Sequence, residues 1–466
     1  MPDDRPTRRF DRRSVIRGLG AAGFAGLAGC GGSDSDDPAA NPDGDGDGGD
    51  GDGGDGTTGG GGDDVTEIVF WEYFGGTEQN EIQSLVEEFN TQHDGIQVEM
   101  SNVPFDNFFD AVFTAIASED APHVTTYWMS FSNYMVQEGA IDPIDEYMEV
   151  SVDDYYESAH PAMQVDGNVY ALPMDIHGNM LISNLSVLEE AGVDGVPDDW
   201  ESFQSACNAI KENTDARPFA LMDSNSPVAG MRQYFTVLQQ EGAQLVEGSP
   251  EEGWDVVYGD SEGALNAAQF VDDVTGEYEW DTTDLSDADE RWTLFRDDEL
   301  GMILGGNWMV NTLQNEDDEI PEDLEFTYSK PYVFPGGEPG TFGESTGYFF
   351  PSDPSHTEEE RQAAVTFAEW ITHNNPLWAQ TAGHLPAAKE VGESDEVTSS
   401  DLYQKYNIVS TLAEMADAGE MMYHPRLPVD IYTSEISSPF VDVYAQNTDP
   451  ADALESSASA MEDRLS

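Results

Sequence analysis

The chain has 466 residues, 94 of them acidic and 17 basic, for a formal net charge of −77. Basic residues this sparse argue against nucleic acid as a partner, because binding phosphates needs clustered Lys and Arg. The acid excess reads as adaptation to molar salt, where the Debye length falls to about 3 Å and neighbouring carboxylates stop repelling one another.

The N-terminus carries Asp11-Arg12-Arg13-Ser14-Val15-Ile16-Arg17, then a small-residue apolar run from Gly18 to Gly29, then Leu27-Ala28-Gly29-Cys30. A basic head, a short apolar segment and small residues before a cysteine predict a twin-arginine export signal, too short to persist as a membrane span. The tetrapeptide ending in Cys30 resembles a lipoprotein box, which implies removal of residues 1–29 and lipidation of Cys30. Two acyl chains at about 0.8 kcal/mol per buried CH₂ anchor stably where one is marginal. Removal takes six arginines and three aspartates with it, leaving 11 basic and 91 acidic residues. Cys207 is then the remaining thiol, so no internal disulfide forms. Residues 30–64 are mostly Gly and Asp and predict a disordered tether spanning about 30 Å. Their alternating Asp suggests calcium, but an EF-hand loop counted from Asp43 needs Glu at the position held by Gly54.

About 400 residues remain, more than one core usually serves, so two lobes are expected. Thr66 to Phe70 reads as a strand. Ile82, Leu85, Val86 and Phe89 follow at helical spacing, and Ile96, Val98 and Met100 alternate as a second strand. The pattern repeats with a stripe at Phe105, Phe108, Phe109 and Val112 and a strand from His123 to Tyr127. Strand alternating with helix predicts an α/β fold with a parallel sheet covered on both faces. Asp166-Gly167 predicts a hairpin turn within Val165–Tyr170. A strand at Met180 to Ser183, a helix with Trp200, Phe203, Cys207 and Ile210 on one side, and a strand at Phe219 to Met222 complete this stretch. On that apolar stripe Cys207 reads as an inert core thiol, and Trp200, Trp370 and Trp378 also read as core. Asn184-Leu185-Ser186 matches a glycosylation acceptor, adjoining the strand at 180–183.

Several segments, in order, resemble the sugar-binding, maltose-binding-protein-like extracellular solute-binding proteins of ABC importers. They are Ile68-Val69-Phe70-Trp71, Ala121-Pro122-His123-Val124 (with His123 where the family usually has Asp), and Gly139-Ala140-Ile141-Asp142-Pro143. Asp166-Gly167-Asn168-Val169-Tyr170-Ala171-Leu172-Pro173, Pro197-Asp198-Asp199-Trp200, Gly301 to Trp308 and Thr366 to Ile371 continue the series. The resemblance implies a two-lobe, type II periplasmic-binding-protein-like fold with the ligand in a cleft between lobes. It places lobe 1 at 66–177 plus 345–395 and lobe 2 at 178–344 plus 396–466, with hinges near 174–179 and 341–348. It implies capture of a sugar or oligosaccharide outside the membrane and delivery to an ABC permease, with no cofactor, no catalytic residue and no bound metal. The protein is then an exported, lipid-anchored monomer on the extracellular face of the membrane. A polyamine or glycerol phosphate carrier and a secreted glycoside hydrolase are the competing readings.

Sugars present flat C–H faces and hydroxyl rims, which aromatic planes and polar side chains cover. Such residues stand near predicted strand ends and crossovers, where α/β sheets open their clefts: Trp71, Tyr73, Trp128, Asp175, His177, Asn307, Trp308, Gly347 and Tyr348, with Tyr234 on a helix. Gly343-Glu344-Ser345-Thr346-Gly347 matches a nucleophile elbow, but a strand and Pro351 follow where the elbow needs a helix. His160, His177, His373, His384 and His424 are dispersed without ligand spacing. Dilution below about 0.5 M salt is expected to unfold the protein by unscreening its carboxylates; circular dichroism unchanged below that salt would refute the adaptation.

Overall fold

The computed structural model describes residues 65–466 apart from 223–226, 250–252, 284–287, 316–319, 423–426, 428–430 and 466. The expected signal segment, Cys30, the tether with its Asp43 repeat, and His424 lie outside the described residues. No helix among the described residues is long and apolar enough to cross a membrane.

The periodicities of the first hundred folded residues become β1 (Thr66–Glu72), α1 (Gly76–Gln92), β2 (Ile96–Asn102), α2 (Phe105–Ser118) and β3 (Val124–Trp128). Ile82, Leu85, Val86 and Phe89 of α1 and Phe108 and Val112 of α2 are buried against the sheet. Phe105, the first residue of the α2 stripe, is instead 41% exposed. The Asp-Gly hairpin forms between Gln164–Val165 and Asn168–Val169. Its turn residues Asp166 and Gly167 take φ of 52° and 84°, the left-handed values that a two-residue turn requires.

Then come β4 (Ala171–Pro173), the long β5 (Asp175–Asn184), α3 (Trp200–Asn213), β6 (Arg217–Ala220), α4 (Pro227–Gln240), β7 (Leu300–Gly306) and β8 (Phe326–Ser329). Asp199 caps α3 through a reciprocal box with Ser202, which sets where the helix begins. The further strands of the larger sheets are β9 (Thr341–Glu344), β10 (Thr346–Phe349), β11 (Leu385–Pro386) and β12 (Met421–Met422), with α5 (Glu358–His373) and α6 (Leu377–Thr381) between β10 and β11.

Two sheets result. The first has order β2-β1-β3-β10-β4, and the second β12-β9-β5-β7-β6, with β8 and β11 also pairing with β5. One apolar core packs the first sheet together with one face of the second, through Met180, Ile182, Ile303, Phe326 and Tyr328. Another packs the opposite face through Leu181, Phe219, Met302 and Leu304, and all of it lies in one compact unit, Val65–Ser466. The sheets are mixed, where strand and helix alternation predicted parallel ones: β1 runs parallel to β2 and β3, but β10 is antiparallel to β3 and β4. The reason is that β10 continues directly from β9 of the second sheet, with Ser345 alone between them, and so enters the first sheet against its grain.

The chain crosses the other way at Met174, between β4 of the first sheet and β5 of the second. β5 is buried at all ten positions and pairs with β7, β8, β9 and β11. Asn184 at its end is fully buried and its Nδ2 donates to Phe295 O and Asp298 Oδ1, so the glycosylation pattern there has no accessible acceptor. Cys207 is also fully buried, and burial pushes its thiol up. Ser345 Oγ donates to the carbonyl of Thr346 between two strands, which no nucleophile elbow does.

β5 and β9 meet closely at Gly178, where a Cβ would stand 2.4 Å from Phe342 O and 2.6 Å from Met421 Cε. Gly178→Ala is expected to cost roughly 1–3 kcal/mol through overpacking, read from chemical denaturation in molar salt; an unchanged midpoint would show that the crossover gives way freely.

Candidate functional site

The carboxyl ends of β1, β3 and β7 deliver Tyr73, Trp128 and Trp308 to one cavity, the place where α/β sheets open for ligands. The cavity measures about 200 Å³, smaller than the about 300–1,000 Å³ usual for small-molecule clefts. Phe74, Glu78, Phe105 and His384 also line it, as do Met231 and Arg232 of α4 and His177, Phe342, Glu344 and Thr346 of the crossovers. Both sheets therefore contribute.

Local chemistry places each ring. Gly306 permits the Trp308 position, since the indole lies 2.2 Å from where a Cβ at 306 would stand. Tyr73 stands edge-on to Phe105 and Phe108, with ring centres 5.2 Å away in each case. Glu344 ties the segment after Trp128 to the crossover, its Oε1 accepting from Ser130 N at 3.2 Å and Ser345 N at 3.0 Å. The Arg232 guanidinium lies 4.5 Å from the Trp308 ring centre and 5.7 Å from that of Trp128, a cation–π contact to each indole.

Behind this wall sits Asp175, fully buried. Its Oδ1 accepts from Thr346 N at 2.8 Å and pairs with His177 Nδ1 at 3.0 Å. Its Oδ2 accepts from Trp378 Nε1 at 2.9 Å and pairs with His384 Nδ1 at 2.6 Å. Burial alone would raise this carboxyl, but the two imidazoles and their hydrogen bonds more than reverse it, and Asp175 is held well below the ordinary carboxylate range. His384 is held above the ordinary imidazole value: burial opposes its charge, and Asp175, then Glu78 and Glu81, outweigh burial. Burial raises Glu78 and pushes Glu81 up to about 7.

The structure brings together five of the expected ligand residues. Tyr73, Trp128, His177 and Trp308 line the cavity, and Asp175 holds its wall from behind. Five others stand elsewhere. Trp71 lies within β1, shares a strand face with Val69 and lines a separate depression beside His123 and Asp353, whereas Tyr73 lies beyond the strand end at Glu72. Tyr234 is 2% exposed, stacked on Phe440 at 4.5 Å, with its hydroxyl accepting from Tyr258 at 2.8 Å. It lies two positions from Arg232, and helix residues so spaced do not share a face. Tyr348 is fully buried among Phe70 and Phe367. At Gly347 a Cβ would stand 2.6 Å from Met129 Sδ, so the glycine serves strand packing. Asn307 is a stitch: its Oδ1 accepts from Gly178 N at 2.9 Å and its Nδ2 donates to Gly383 O at 3.0 Å, fixing the residue next to His384.

Glu78, Phe105, Arg232 and His384 are cavity residues that the sequence reading missed. Two of the histidines that lacked ligand spacing, His177 and His384, are brought together by β11 pairing with β5, Leu385 opposite Ile176. Among the described residues Asp175, His177 and His384 form a potential metal-ligating group, where none was expected.

A sequence profile of bacterial extracellular solute-binding proteins matches residues 84–405. An arabinooligosaccharide-binding protein of Halalkalibacterium halodurans is 25% identical over 162 residues, 33% of this chain and 36% of that protein. The diacetylchitobiose binding protein DasA of Streptomyces coelicolor is 23% identical over 237 residues, 51% of this chain and 50% of that one. The chain thus spans half or less of the length of these curated relatives. Among solved structures, the GacH receptor of Streptomyces glaucescens superposes with a TM-score of 0.71 at 19% identity, covering 86% of this chain and 98% of that one. Maltose-bound MalE3 of T. maritima gives 0.71 at 16% identity, covering 86% of this chain and all of that one. At these identities the likeness shows the fold, a two-lobe α/β binding-protein architecture.

The Asp175–His384 pair sets a pH window. A carboxyl lowered in the fold stabilises it above about pH 4 and loses that contribution in acid, while an imidazole raised in the fold stabilises below about pH 6.5 and loses it as pH rises. The melting-temperature gap between the protein and His384→Gln is expected to be widest between about pH 4 and 6.5 and to narrow on the alkaline side. A gap unchanged into alkali would show the pair uncoupled.

Proposed function

The chain belongs to the bacterial extracellular solute-binding protein family, and we propose that it captures a sugar or oligosaccharide outside the membrane and passes it, unaltered, to an ABC permease. The observation that carries this is the convergence of Tyr73, Trp128 and Trp308 from two sheets on one cavity with a polar rim of Glu78, His177 and His384. Rings cover sugar faces and the rim meets hydroxyls. The saccharides in the names of both curated relatives support the same class.

In this proposal the lobes are 66–177 plus 345–395 and 178–344 plus 396–466. They close by hinging where the β4–β5 and β9–β10 pairs cross between sheets, and a ligand bridging the lobes favours the closed form. Anchoring through lipidated Cys30 after twin-arginine export, a monomeric state and stability confined to molar salt belong to the same reading.

The test is a thermal-shift and calorimetric panel of mono- and oligosaccharides in molar KCl, with glycerol phosphate and uronic acids included because Arg232 offers a cation. A saturable rise in Tm following RT ln(1 + [L]/Kd) is expected for a saccharide. Release of reducing sugar would overturn the reading. Trp308→Ala is expected to weaken ligand binding about tenfold or more, that is by about 1.4 kcal/mol or more, and to leave Tm without ligand little changed. Loss of folding with affinity spared would move the site elsewhere.

A further inference from the structure

Asp175 has about four lone-pair sites, and the Thr346 amide, the Trp378 indole and the Nδ1 atoms of His177 and His384 occupy them. A carboxylate so engaged has no position left for an ion. It does fix both imidazoles with Nδ1 toward itself and Nε2 turned away. In His384, which is 6% exposed and lines the cavity, Nε2 is buried without a hydrogen-bond partner. A buried polar atom left unpaired is destabilising. Glu78 Oε1 lies 3.9 Å from that nitrogen. His177 lines the same cavity with its ring centre 5.2 Å from that of His384.

A carboxylate behind an imidazole is the arrangement that orients metal-binding histidines and raises their basicity. Two imidazoles with one carboxylate and open positions suit zinc and its transition-metal neighbours, whereas calcium and magnesium prefer oxygen donors. We propose that His177 and His384, oriented by Asp175, bind a divalent transition-metal ion through their Nε2 atoms at the cavity wall, with Glu78 as carboxylate ligand and the open positions facing the cavity. The site goes beyond the sugar-binding reading and does not depend on it.

Chelator-stripped protein titrated with ZnCl₂ in molar-salt buffer, with no sugar present, tests this by calorimetry. One ion per chain is expected. His177→Ala and His384→Ala should each lower affinity by about 100-fold or more, since outer-shell changes alone cost about 10–100-fold. Glu78→Gln should lower it about tenfold or more, while Glu88→Gln on the exposed face of α1 should leave it unchanged. If a histidine variant does not fold, ¹⁵N-histidine spectra of the unaltered protein decide: zinc should move the Nε2 signals of both residues and leave Nδ1 protonated. Absence of stoichiometric uptake, equal uptake by the histidine variants, or coordination through Nδ1 would overturn the site. Saccharide binding by stripped protein that takes up no zinc would leave the proposed function standing and remove the metal alone.

Discussion

One buried carboxylate organises this molecule. Asp175 stands just past the crossing from the first sheet to the second, at the start of β5, and it takes hydrogen bonds from β10, α6 and the segment before β11 as well as from His177 on its own strand. A charge removed from water is costly unless its lone pairs are met. Here they are met by groups that must therefore stay put: the second crossover, the Trp378 indole and two histidines of the cavity wall. The floor of the cavity and the junction of the two sheets are in this way held by the same atom pair.

The cavity above it follows from strand direction. β1 and β3 run parallel and end on the same side, so the residues just past their ends face a common space, and β7 of the other sheet ends toward it as well. Small residues then set how closely the parts approach. Gly306 lets the Trp308 indole fold back across its own strand, Gly178 lets β5 and β9 touch, and Gly347 lets β10 settle on Met129.

Much of this was legible locally. The 3.6 and 2.0 periodicities placed α1, α2, α3 and the strands between them, and aromatic residues just past strand ends marked Tyr73, Trp128 and Trp308. What sequence concealed was orientation and partnership across the chain. Trp71 and Tyr348 sit in the right strands but face a different depression and the core, and Tyr234 sits on the right helix turned away from Arg232. Glu78 looks like any solvent-facing acid in the first turn of an amphipathic helix, one of 94 in the chain. His384 gains meaning from a ladder between Leu385 and Ile176, a contact that no spacing rule encodes. The mixed strand direction was hidden for the same reason, because it arises from chain crossing and leaves no local pattern.

The guanidinium between the two indoles has a consequence for selectivity. Trp128 and Trp308 meet solvent already in contact with the protein's own cation, so in the proposed binding an incoming molecule exchanges with Arg232 instead of simply displacing water. Its net gain is the difference between its own stacking and that of the arginine, which small greasy solutes gain little from. On the proposed saccharide reading, such an internal competitor favours flat, hydroxylated guests, whose own stacking can replace that of the arginine, over small apolar ones.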